Sequence, residues 1–126
     1  MAEEKSKCRE CLLKYDFFHL RIIDLADDVA VGKLAVEIGS ARGEKTLKEI
    51  SDWTEKLHNE GCIDEDLYRD LKNQIEEGRK AVEARDIGKL ELCQKSLSSY
   101  TSPIISRIRW VCERELEEAK RKALKP

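Results

Sequence analysis

Proline is nearly absent from this chain. It occurs twice in 126 residues, at Pro103 and Pro126, so nothing of that kind interrupts a helix before Ser102. No apolar run approaches the ~20 residues that a membrane-spanning helix requires. Asparagine and glutamine number four, Asn59, Asn73, Gln74 and Gln94. Scarce amides beside abundant Glu, Lys and Arg are a composition enriched in thermophiles. The opening Met-Ala-Glu-Glu-Lys carries no apolar leader, and a cytoplasmic location is expected. The net charge of −2 is too small to point to nucleic acid or an acidic partner. Five cysteines are an odd number, so at least one stays unpaired within a monomer.

What is present is charge and helical periodicity. Charged residues make up 40% of the chain, and apolar residues recur mostly at spacings of three and four. That pattern predicts an all-α fold, with residues 1–126 forming a single antiparallel bundle of four to five helices. The first helix is expected over about Lys5 to Ile38. Cys8, Tyr15, Ile22, Val29 and Val36 repeat every seven residues, with Cys11, Phe18 and Leu25 beside them. A second stripe, Leu13, Phe17, Leu20, Val31, Leu34 and Ile38, covers much of the other side. A helix apolar on two sides is expected to be central, with neighbours on both.

Gly39 and Gly43 then suggest a loop, and Thr46 with Glu49 forms a capping box for a second helix. That helix carries Leu47, Ile50, Trp53 and Leu57 and stops at Gly61. Asp64 is placed to cap a third helix, with Leu67, Leu71, Ile75 and Val82 facing inward, and Asp86 a fourth, with Ile87, Leu90, Cys93 and Leu97. Ser102-Pro103 either starts a fifth helix or kinks one long one, whose inward stripe would be Ile105, Ile108, Cys112, Leu116, Ala119 and Ala123.

Four clusters could carry chemistry. Gly39-Ser40-Ala41-Arg42-Gly43-Glu44-Lys45-Thr46 nearly spells a phosphate-binding loop, but Glu44 stands where that motif needs glycine. Asp24, Asp27 and Asp28 lie within about one helical turn and suit a hard cation such as Mg2+. Asp24-Leu25-Ala26-Asp27 resembles half of the paired acidic motifs of all-α nucleotide pyrophosphohydrolases. Such a site needs a second acidic pair, and Glu49-Ile50-Ser51-Asp52 is the tidy candidate. The simpler reading is a solvated acidic stripe with Arg21 neutralising Asp24.

Cys8-Arg9-Glu10-Cys11 is a lone C-x-x-C near a helix start, where the dipole can activate a thiol for redox work. Structural zinc would need more ligands than it supplies. Cys8, Cys93 and Cys112 all lie on apolar stripes, and burial as small hydrophobes is the commoner fate of such cysteines. Arg107, Trp110 and Arg114 share one helix face, a pattern suited to nucleic acid or to a protein partner. His19 and His58 stand alone.

The expected function is a non-catalytic helical interaction module, a small subunit or adaptor of a larger or self-associated assembly, with no cofactor. One alternative is a Mg2+-dependent hydrolase of a phosphorylated small molecule through the three aspartates. A third is nucleic-acid contact through Arg107, Trp110 and Arg114.

Overall fold

The computed structural model describes residues 6–124. They form five helices: α1 (Lys7–Leu34), α2 (Val36–Asn59), α3 (Glu65–Glu83), α4 (Ile87–Ser99) and α5 (Thr101–Leu124). No strand occurs among the described residues, and the architecture is the expected antiparallel bundle. No helix in that range is long and apolar enough to cross a membrane. Lys5, the expected first helical residue, lies outside the described residues.

Ser6 caps α1, its Oγ accepting from the Arg9 amide at 3.2 Å. The helix ends earlier than its apolar pattern suggests. Ala35 alone is extended, at φ −148° and ψ 93°, and reverses the chain directly into α2. Gly39, Gly43 and Thr46 therefore lie inside a helix rather than in a loop, which corrects both the expected turn and the expected capping box. The reason is close packing. A Cβ on Gly39 would collide with the Gly32 Cα, and one on Gly43 would stand 3.0 Å from the Leu90 side chain. These glycines let helix backbones approach; they do not bend the chain. With α2 helical throughout, its amides are spent on helical hydrogen bonds and cannot wrap a phosphate.

The remaining boundaries follow local chemistry. Gly61, at φ +73°, ends the α2 segment in a conformation that glycine adopts without cost. Asp64 accepts from the Leu67 amide at 2.8 Å and Asp86 from the Lys89 amide at 3.0 Å, so both expected caps are present. Between α4 and α5 only Tyr100 is non-helical. Pro103 thus falls in the first turn of a new helix, where a missing amide hydrogen costs nothing.

The core is built from one face of α1 against the other helices. Phe18, Ile22, Leu25, Leu47, Ile50, Leu57, Leu71, Leu90, Leu97, Ile104 and Ile108 are almost wholly buried. Each contributes roughly 1.5–3 kcal/mol of apolar burial. On α5 the inward residues are Ile104, Ile108 and Val111, not the expected Ile105, Leu116, Ala119 and Ala123. The helix leaves the bundle after Glu115, and residues 116–124 are all exposed.

Two disulfides tie this arrangement. Cys8 of α1 joins Cys112 of α5, and Cys11 joins Cys62 in the α2–α3 turn. Glu115 reinforces the first link by accepting from the Cys8 amide at 2.9 Å and the Ser6 hydroxyl at 3.0 Å. Links across sequence separations of 104 and 51 residues restrict the unfolded chain, a constraint of about 4 to 5 kcal/mol each in the chain-entropy model. Protein isolated from its own cell under thiol-blocking conditions should show one free thiol per unfolded chain, that of Cys93. Five free thiols would contradict the cross-links.

Candidate interaction surface

The sequence supplies α1 with more apolar side chains than one buried face can use. Cys11, Tyr15, Phe18, Ile22, Leu25 and Val29 take that face, as their spacing predicts. Leu12, Leu13, Phe17, Leu20 and Ile23 are turned away from it, each 46–48% exposed. The expected second layer of neighbours is missing among the described residues. Helices α2, α4 and α5 pack on the buried side of α1, while α3 spends its apolar face on α2 and α4. Of the remaining second-stripe residues, Val31 is half-buried, Leu34 is 93% exposed at the hairpin tip, and Ile38 belongs to α2.

Trp53 of α2 extends this face. Its ring stacks on Phe17 at 4.9 Å between centroids with planes 10° apart, and the Lys56 ammonium lies 4.1 Å from its centroid. The result is an exposed apolar strip on the outer face of α1, with Asp16 inside it and Trp53 at its α2 rim. Leu12 and Ile23 belong to neither stripe expected from the sequence. Their signal is the spacing of eleven residues, three helical turns, which places both on the outer side of α1.

The three aspartates line one shallow, open depression with Glu49, but Arg21, Arg42 and Lys45 line it too. Asp24 pairs with Arg21 at 3.1 Å, while Arg21 also reaches Glu49 at 3.2 Å. Asp27 is exposed. Asp28 is buried between α1 and α2 and accepts a hydrogen bond from the Thr46 hydroxyl at 2.5 Å. Glu49 of the proposed second acidic pair is thus held by a cation, and Asp52 is exposed. Among the described residues no group of three or more His, Cys, Asp or Glu side chains is arranged to hold a metal ion. The role that does emerge for Asp28 and Thr46 is to lock the helical hairpin.

Arg107, Trp110 and Arg114 are brought together on α5 as their spacing predicts. The guanidiniums lie 4.2 and 5.0 Å from the Trp110 centroid. They use the indole within the helix, as cation–π partners, so a nucleobase would have to displace one of them to stack there. Glu115 and Glu118 share the adjoining groove with Lys7 and Lys122.

Cys8 pairs with Cys112 of α5 and Cys11 with Cys62 of the α2–α3 turn instead of with each other, so the C-x-x-C is a branching point of two cross-links and not a redox dithiol. The Cys8–Cys112 link also corrects the expectation that those two are simple buried hydrophobes. Cys93 is the one that is: burial pushes its thiol up to about 11, and its Sγ donates to the Gln74 carbonyl at 3.2 Å. His58 stacks on Tyr68 at 3.9 Å and meets Glu65 at 2.6 Å. Tyr68 donates to Glu55 at 2.6 Å, holding that carboxyl below its ordinary value. These contacts fasten α2 to α3. His19 lies beside Tyr15 at 5.8 Å.

Desolvation raises the Asp28 carboxyl above its ordinary value, outweighing the Thr46 hydrogen bond that lowers it. The folded state therefore holds the proton more tightly than the unfolded state, and Asp28 costs stability as pH rises above the ordinary carboxylate range. Asp28→Asn keeps an acceptor for Thr46 without the charge. Relative to wild type it should gain stability between about pH 4 and pH 7, measured by urea unfolding across that range. A difference that is flat, or that moves toward the wild type, would contradict this. No protein-family model, curated protein or solved structure matches the chain, so the reading of this surface rests on its own geometry.

Proposed function

We propose that this chain is a non-catalytic helical interaction module whose outer α1 face docks on a second copy of itself. The observation that carries this reading is the strip of Leu12, Leu13, Phe17, Leu20 and Ile23 beside Trp53, left half-exposed although the core beneath is complete. Such a strip is costly to hydrate and is relieved by burial against a matching apolar surface. A second copy is the one partner certain to be present at equal concentration with the same strip, and a two-fold axis sets the two strips against each other.

Asp24 and Asp28 are engaged by Arg21 and Thr46, and the α5 arginines by Trp110, which gives the hydrolase and nucleic-acid readings no added support. The two disulfides fit either an oxidising compartment or the cytosol of a hyperthermophile. The scarcity of Asn and Gln favours the second, in keeping with a cytoplasmic location.

Sedimentation equilibrium tests the reading. The wild-type chain should associate with rising concentration, and Phe17→Glu combined with Leu20→Glu should stay monomeric with unchanged helical content. Both side chains are half-exposed in the isolated fold, so their replacement leaves the core untouched. A wild-type chain that is monomeric at all concentrations would contradict it.

A further inference from the structure

The charges along the open face of α1 are not evenly spread. At 100° per residue, Arg9, Asp16, Leu20 and Asp27 fall within a narrow line down its middle, with Leu13 and Ile23 to either side. Arg9 is near the N-terminal end and Asp27 near the other, about 27 Å apart at the helical rise. Both are exposed, and neither side chain has an ion pair among the described residues. The line therefore has a cation at one end, an anion at the other, and Asp16 and Leu20 between.

Resting on the self-association reading, we propose that two copies pair antiparallel through α1, about a two-fold axis level with Phe18. Arg9 of each copy then faces Asp27 of the other. A parallel pair sets Arg9 beside Arg9 and Asp27 beside Asp27, and like charges in register oppose association. The antiparallel pair replaces both repulsions with attractions.

The same register satisfies the apolar residues. Residue numbers that sum to 36 lie level with each other across the axis. Leu13 is level with Ile23 of the other copy, and Leu20 with Asp16. Phe17 lies close to the axis on the α2 side of α1. The two-fold thus brings the Phe17–Trp53 stacks of both copies along one rim of the interface. Asp16 is the one charge inside the strip. Its partial desolvation weakens the pair and makes the association reversible.

Charge exchange tests the register in the full, disulfide-bonded chain. Arg9→Glu alone and Asp27→Arg alone should each weaken the dimer roughly tenfold, since each turns two attractions into two repulsions. Arg9→Glu with Asp27→Arg should return to within about twofold of wild type. Asp16→Ala should tighten the dimer several-fold. The fold should tolerate all of these: a glutamate suits the first turn of α1, and Asp16 and Asp27 are exposed.

A double exchange as weak as either single one, or single exchanges that leave the dimer unchanged, would overturn the antiparallel register. If Phe17→Glu with Leu20→Glu still dissociates that dimer, the docking surface stands and only the register falls. A wild-type chain that never associates removes both.

Discussion

Gly39 of α2 rests against Gly32 of α1 with no room between them for a single carbon atom. Much of the architecture depends on that approach. It allows the chain to reverse over one extended residue, Ala35, and it lays two helices of 28 and 24 residues along each other. The approach also draws Thr46 onto Asp28, burying a carboxyl that would be costly anywhere less well served by a hydroxyl. Gain in helix propensity from a larger residue at position 39 could not offset a backbone collision, because the neighbouring atom is main chain and cannot rotate away.

That hairpin determines what α1 can still offer. Once α2 occupies one flank and α4 and α5 the other, α3 is carried to the far side of α2, where its stripe meets α2 and α4. The N-terminal half of α5 packs on α1, held by Cys8–Cys112 and the Glu115 hydrogen bonds, and residues 116–124 beyond it are exposed. No element among the described residues is left to cover Leu12, Leu13, Phe17, Leu20 and Ile23. Exposure of that strip is a consequence of topology, and the charges at Arg9 and Asp27 give it direction.

Most of the architecture was legible because helix periodicity and capping are local. The inward residues of α3 and the caps at Asp64 and Asp86 follow from spacing and side-chain chemistry alone. The first turn was not legible, since Ala35 has no feature that marks a reversal. Gly39 and Gly43 resemble loop residues until their spacing of four is read as one helix face brought against a neighbour. The α5 stripe was misplaced because Leu116, Ala119 and Ala123 keep helical spacing past the point where anything remains to pack on. Cysteine pairing depends on which elements meet in space, so the C-x-x-C gave no hint that Cys8 and Cys11 part company. The excess apolar surface of α1 was visible in its second stripe; that it stays uncovered was not.

Cover of the outer α1 face by a second copy of the chain, as proposed, would deepen as protein concentration rises. Hydroxyl-radical footprinting at low and high protein concentration addresses it residue by residue. Leu13, Phe17, Leu20, Ile23 and Trp53 should lose reactivity together as concentration rises, while the exposed Leu92 and Trp110 remain unchanged. Equal labelling of the α1 strip at both concentrations, or protection centred on Trp110, would contradict it.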